Sequence, residues 1–293
     1  MNYRGISRIV PSLSTLEGDG VSIRRAFPTG SLDDLDPFLL LDHLGPTDLR
    51  PGEAKGFPDH PHRGFETVTY LLEGQFQHRD SRGNHGLLGP GDLQWMTAGS
   101  GLVHSEMPGP DLIRDGGRLQ GFQLWVNLPR RDKMIDPRYQ ELTGGRIPTV
   151  RNGGATVRII AGEALGEKGL IETRIPIVYL HLTLEPGAEH VQLIPRNQNA
   201  FAYVINGAAI FGDSPASEGN VAIFSNDGDE VRISNAASAK QEANVLLISG
   251  EPLNEPVARY GPFVMNTRQE VVQAFEDYRR GRLGRIEQPV VLR

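Results

Sequence analysis

The sequence predicts an all-β protein made of two tandem β-barrels, with a short helix near its end. Three observations carry this expectation. Thirty-five glycines and 21 prolines are spread along the 293 residues, cutting the chain into many short segments. Between those breaks, apolar and polar residues alternate with the period of two expected of a half-buried strand. Two stretches of the first half also align with two stretches of the second, their glycines in register, as a tandem duplication requires.

In chain order, Phe65 to Leu72 is a β-rich run ended by Glu73-Gly74, and Gln75 to Arg79 follows. A polar turn at 80–84 leads to Leu87-Leu88, then to the turn Gly89-Pro-Gly-Asp92 and the run Leu93 to Met96. Leu119 to Leu128 alternates well and stops at Pro129, after which Pro129 to Pro137 reads as a linker. A similar series then begins with Thr156 to Ala161 and Val178 to Leu184, followed by a turn at Glu185-Pro-Gly187. Ala200 to Ile205 ends at Asn206-Gly207, a strong hairpin signal. Ala208 to Gly212, Asn220 to Phe224, Glu230 to Ser234 and Val245 to Ser249 complete the strands. Arg268 to Arg280 places apolar residues at 271, 272, 275 and 278, which is helical spacing; Asn266 or Thr267 can cap it and Gly281 can end it.

The duplication sets Phe65–Gly74 over Gln198–Gly207 and Gly91–Met96 over Gly219–Phe224. It predicts two domains, 1–135 and 145–293, the second carrying the helix. In that register His60 and His62 fall on Leu193 and Pro195, and His104 and Glu106 fall near Arg232 and Ser234. Ligand chemistry is therefore expected in the first copy only.

Composition excludes several classes of function. A net charge of −6 and a pI near 5.8 give no electrostatic attraction to nucleic acid or an anionic membrane. Cysteine is absent, which removes disulfides, thiolate ligands and a cysteine nucleophile. No apolar run approaches the roughly 20 residues of a membrane span. The N-terminal segment lacks the apolar centre of a signal peptide, so a soluble cytoplasmic protein is expected.

The residues that point to chemistry are two pairs at spacing i, i+2. One is His60 and His62 in Phe57-Pro-Asp-His-Pro-His-Arg-Gly-Phe-Glu66; the other is His104 and Glu106 in Leu102-Val-His-Ser-Glu-Met107. On an extended strand such residues share a face, about 6.5–7 Å apart along the chain. Two pairs on facing strands bring three imidazoles and one carboxylate around a point and leave coordination positions open. These donors suit iron, manganese, cobalt, nickel, copper or zinc. Pro61 favours an irregular edge strand over a central one.

Other histidines have plainer readings. His78 and His85 flank a hairpin turn and are expected to be solvated, while His43 is a candidate for the site mouth. His181 reads as a packed or exposed strand residue, and His190 lies in the half without ligands. Trp95, Met96, Phe57, Phe122 and Trp125 read as barrel core, some of them as lining for an aromatic ligand. Ser100 and Ser105 lack a hydrolase setting, and Gly89-Pro-Gly91 is a turn rather than a phosphate loop.

The pattern Gly56-x3-His60-x-His62-x3-Glu66-x7-Gly74, followed by Gly91-Asp92 and His104, resembles the paired cupin motifs. Within cupins, Asp59–Val68, Leu93–Gly99, His104–Pro108 and Gly121–Pro129 closely resemble the pirin family across roughly residues 20 to 130. From 145 to 255 the likeness is only topological. The resemblance implies a bicupin, two tandem cupin barrels of the double-stranded β-helix type, with one divalent transition metal in the first. Its ligands would be His60, His62, His104 and Glu106, and iron is the first choice of metal. The usual cupin carboxylate would be Glu66; pirins take theirs from the position of Glu106, so Glu66 is assigned a supporting role, orienting a histidine.

The resemblance further implies a dioxygenase acting on a flavonol-like enol with O2, the quercetin 2,3-dioxygenase activity attributed to bacterial pirin relatives. Glu106 would then be both ligand and general base. A second reading, from another class, is a metal-binding regulatory protein acting through a protein partner, as eukaryotic pirins are reported to do. A bicupin acting on some other small enol would show the same motif.

Overall fold

The computed structural model describes residues 2–287; Met1 and 288–293, the outer ends of the two expected domains, lie outside the described residues. The chain divides into two compact units. One comprises the N-terminal residues to Leu13, Arg24–Leu40 and Gly145–Leu253; the other comprises Ser14–Ile23, Leu41–Gly144 and the chain from Asn254 onward. Each contains a seven-stranded and a four-stranded sheet, so the all-β expectation holds.

The large sheet of the second unit, which holds all of it but Leu13, Arg24–Phe27 and Phe38–Leu40, runs, in spatial order, Arg138–Leu142, Leu93–Thr97, Phe65–Glu73, Gly117–Asn127, Phe38–Leu49, Val21–Phe27 and Leu13–Glu17. Its small sheet runs Phe57–His62, Leu102–Pro108, Phe76–Asp80 and His85–Leu88. In the other unit the large sheet runs Ile6–Pro11, Asn220–Phe224, Asn199–Asn206, Ala243–Gly250, Ile177–Leu184, Ala155–Ala161 and Thr149–Asn152. Its small sheet runs Glu189–Leu193, Glu230–Ser234, Ala208–Phe211 and Ser214–Ser217. The two orders match strand for strand. Gly74 and Gly207, aligned in the sequence, both turn at positive φ (91° and 75°), where a side chain would be strained.

The domain limits depart from the expected 1–135 and 145–293. Arg138–Leu142, placed beyond the first domain, pairs with Leu93–Thr97 and closes one edge of that domain's sheet. The equivalent edge of the other large sheet is closed by Ile6–Pro11, which pairs with Asn220–Phe224. The segment after Asn254, expected to belong to the second domain, sits with the first. Edge pairing decides these memberships, and position along the chain does not reveal it. The sequence reading also has no strands before residue 57. Phe38–Leu49 begins as a continuous buried apolar run without alternation, so no period could identify it.

The helix is Arg268–Arg279, with Thr267 and Glu270 forming a reciprocal capping box. Val271, Ala274 and Asp277 face inward, whereas Val272 and Tyr278, counted among its apolar positions, are 51 % and 38 % exposed. No helix among the described residues is long and apolar enough to cross a membrane.

This C-terminal segment is tied to the end of the histidine strand by polar groups. The Arg63 guanidinium lies 2.9 Å from the Asp277 carboxylate, with side-chain exposures of 6 % and 12 %. The Lys133 ammonium, 1 % exposed, donates to Gly64 O at 2.8 Å, Asn127 Oδ1 at 2.6 Å and Val264 O at 3.0 Å. All three of its hydrogens are used, and burial pulls its pKa down to about 8. A Cβ on Gly64 would lie 2.0 Å from Val264 O, so only glycine lets the strands approach.

Asp277→Ala should leave Arg63 buried without its carboxylate, a loss on the order of 3 kcal/mol readable by chemical denaturation. Burial raises the Asp277 pKa, but hydrogen bonds from Arg63 and Gln273 and the charge of Arg63 outweigh it, so the net direction is down. A depressed carboxylate stabilises above its unfolded pKa of 3.8 and loses that contribution as pH falls through its folded value. The gap between wild type and variant should therefore be full near neutral pH and shrink below 3.8. A gap that widens in acid would contradict the pairing.

Candidate metal centre

The predicted ligands lie on adjacent strands of the four-stranded sheet. Phe57–His62 is an edge strand, as Pro61 suggested, and pairs antiparallel with Leu102–Pro108, His104 directly opposite His60. The pairing slips between His104 and Glu106, so Glu106 stands opposite Phe57. Such a bulge re-aims side chains without ending the ladder.

The three imidazoles converge. Their ligand nitrogens all lie within 4.8 Å of one another. Ring centroids are 4.3 Å apart for His60 and His104, 4.7 Å for His60 and His62, and 4.9 Å for His62 and His104. His60 is half-buried, while His62 and His104 are 3 % and 1 % exposed. Burial, then the neighbouring imidazoles, pushes His62 and His104 well below the ordinary histidine pKa, so both are neutral at neutral pH. The state that ligates metal is the state the fold selects.

The backbone orients two of the rings. His60 Nδ1 lies 2.7 Å from Pro58 O and His62 Nδ1 lies 3.4 Å from Pro262 O. Each contact favours the tautomer with its proton on Nδ1, leaving a lone pair on Nε2. Those two Nε2 atoms then face each other at 3.1 Å. His104, deeper still, has no protein partner for either ring nitrogen among the described residues. Facing lone pairs and an orphaned buried imidazole suit a shared cation and little else.

Glu106 is 6 % exposed, outside the three-histidine group. Its Oε1 accepts from Thr69 Oγ1 at 2.8 Å, and its Oε2 accepts from Gln123 Nε2 at 2.9 Å. Trp125 stands two residues from Gln123, its ring 5.2 Å from His62, and carries the Arg259 guanidinium 4.7 Å over its ring. Trp125 is only half-buried, so it borders the site instead of filling the core; Trp95 and Phe122 are fully buried.

Four side readings need correction. Glu66 accepts a hydrogen bond from Thr97 at 2.6 Å. It lies an odd number of residues from Thr69, hence on the strand face opposite the one that meets Glu106, and cannot orient a ligand from there. His43 is completely buried, stacked on Phe122 at 4.4 Å with its Nε2 2.9 Å from Gln120, so it is a packing residue and not a mouth residue. His78, expected to be solvated, is 2 % exposed and its ring is 5.4 Å from that of His104; His85 is exposed as expected. In the second copy the inward residues are His190, Gln192, Val231 and Ile233, all at most 5 % exposed, while Leu193 is 68 % exposed. The duplication register therefore slips at these strands, and one residue exchanges the two faces. The conclusion survives: His190 and Gln192 face two aliphatic side chains, and the one histidine-rich metal group among the described residues is the first.

Two barrels of matching strand order, one holding a histidine cup, define a bicupin. The family model described as Pirin matches residues 20–126, and that described as Pirin C-terminal cupin domain matches residues 179–284. The Pirin-like protein of Solanum lycopersicum is 48 % identical over 271 residues, covering 92 % of this chain and 89 % of its own. Pirin of Homo sapiens is 45 % identical over 272 residues, covering 92 % and 90 %. A crystal structure of quercetin 2,3-dioxygenase from Acinetobacter baumannii superposes with a TM-score of 0.90 at 36 % identity, over 97 % of this chain and all of that one (100 %). The chain belongs to the pirin family.

His104→Ala should abolish metal uptake, measured by elemental analysis, while circular dichroism retains the β spectrum, because the cup is a small part of the core. Trp125 offers a second readout. With its ring 5.2 Å from His62, its fluorescence should be quenched as Co2+ is titrated in, and Trp125→Phe should remove that response while buried Trp95 still emits. Quenching that persists in the variant would place the metal elsewhere.

Proposed function

We propose that this chain is a metal-dependent dioxygenase that opens a flavonol or similar aromatic enol with O2. The observation that carries the proposal is the convergence of three imidazoles, two of them buried and neutral, beside an anchored carboxylate. The likeness to quercetin 2,3-dioxygenase of Acinetobacter baumannii supplies the substrate class. His60, His62, His104 and Glu106 would hold one divalent transition metal, iron first, with manganese, cobalt, nickel, copper and zinc compatible with the same donors. When bound, that metal supplies Lewis acidity toward an enolic oxygen and a meeting point for dioxygen.

The protein's own groups do the rest. The Glu106 carboxylate accepts the enolic proton, and Thr69 and Gln123 hold it in place while it does so. Histidines ligate metal in their neutral form, so His60, His62 and His104 would leave the deprotonated enol its negative charge. Trp125 presents an aromatic face at the border of the cup, where a planar ring can stack. In the overall reaction both oxygen atoms of O2 enter the products, and one ring carbon leaves as carbon monoxide.

The test is flavonol-dependent oxygen uptake by protein whose metal content has been measured. Glu106→Gln keeps the shape but removes the proton acceptor, so turnover should fall roughly 10²–10⁴-fold with metal retained more than in a histidine deletion. Glu66→Gln should keep metal and turnover within a few-fold, because its side chain lies on the other face. If Glu66 proves the more sensitive, the carboxylate assignment is wrong. Metal-replete wild type without oxygen uptake on any flavonol would remove the dioxygenase reading.

A further inference from the structure

His78 is the one buried histidine near the cup that the proposed chemistry leaves unused. It lies on Phe76–Asp80, the strand next to Leu102–Pro108, and its register partner there is Glu106. Its ring is 5.4 Å from His104 and 4.8 Å from Tyr139, and it is 2 % exposed. Neither ring nitrogen has a protein partner among the described residues. A neutral imidazole carries one donor and one acceptor, and both stay unmet inside a protein only where something else meets them.

The surrounding groups are already engaged. Glu106 is held by Thr69 and Gln123. Asp80, opposite His104, accepts from the backbone of Arg82 and Asn84 and from the Asn84 side chain, each at 2.8 Å. The Tyr139 hydroxyl points to Met96 Sδ at 3.0 Å. Distance separates His78 from the ligand group. The three ligand rings stand 4.3 to 4.9 Å from one another, whereas His78 stands 5.4 Å from His104 and outside their cluster. A ring set one step back reaches the second atom of a bound molecule and not the ion itself.

We propose that His78 is a positioning residue that hydrogen-bonds the non-protein ligand seated beside Glu106. The ligands it favours carry a second polar atom one or two bonds from the atom that meets the metal, as a vicinal hydroxy-ketone does. A neutral ring that can donate or accept serves either the ketone or the hydroxyl of such a pair. This rests on the metal-site reading above and adds to it a residue that sorts substrates.

The test uses full-length protein loaded with Co2+ under nitrogen, so that binding is read without turnover. The probes are 3-hydroxyflavone and azide, followed by visible absorbance, in wild type, His78→Phe and His78→Gln. Cobalt content and the unfolding midpoint should be unchanged. Affinity for 3-hydroxyflavone should fall about tenfold in His78→Phe and recover in part in His78→Gln, whose amide again donates a hydrogen bond. The azide band should shift in the same order. Equal affinity for both probes in wild type and His78→Phe would overturn the proposal, leaving His78 a packing residue. So would loss of cobalt in His78→Phe and in His78→Gln alike, which would make His78 a ligand, and so would wild type that binds neither probe. If His78→Phe does not fold, weaker binding of 3-hydroxyflavone by His78→Gln at full cobalt loading supports the proposal, and unchanged binding overturns it. His78-dependent binding without oxygen uptake in air would sink the dioxygenase reading and leave this inference standing.

Discussion

Three imidazoles whose ring nitrogens converge to within 4.8 Å of one another are the constraint on which this site depends. Two Nε2 atoms facing at 3.1 Å cannot both be acceptors without a proton or a cation between them. Burial opposes a proton on His62 and His104, which are held well below the ordinary histidine pKa first by loss of water and then by the neighbouring His60 ring. A metal cation is a partner of matching charge for these facing nitrogens. The same low-dielectric setting strengthens the hold of Thr69 and Gln123 on Glu106, the carboxylate beside the cup.

Much of the surrounding unit serves to keep that strand end in place. His62 is followed by Arg63 and Gly64, and all three are gripped by the C-terminal segment. Pro262 O faces His62 Nδ1, Asp277 pairs with Arg63, and Val264 O shares the Lys133 ammonium with Gly64 O. The contacts bridge about 200 residues of sequence, as the separation of His62 from Pro262 shows. A buried lysine whose three hydrogens all meet oxygen acceptors, none of them a carboxylate, orders the backbone on both sides without neutralising a charge. The helix thus acts at a distance from the chemistry, through the orientation of one ring.

The duplication bears on why the described residues hold one histidine cup. Both units use the same strand order, and the corresponding pairs of strands can be compared position by position. In one unit His104 stands opposite His60 and Leu102 opposite His62; in the other Ile233 stands opposite His190 and Val231 opposite Gln192. His190, 4 % exposed, has Gln192 as its hydrogen-bond neighbour at 3.3 Å and two aliphatic side chains opposite. Ile233 in place of His104 and Gln192 in place of His62 turn two candidate ligand positions into ordinary core.

The sequence by itself determined the all-β class, the duplication, the helix and its cap, and the two i, i+2 pairs. Each is a local pattern: alternation, a turn glycine, a capping box, two donors on one face of one strand. Only the tertiary structure decided which strand closes which sheet, that Glu66 and His43 point away from the cup, and that His78 points toward it. The physical reason is that a strand's period states which residues share a face and never which face is inside. A one-residue slip in register exchanges the two faces, as it does at Leu193 and Gln192, and pairing partners far away in the chain set the register.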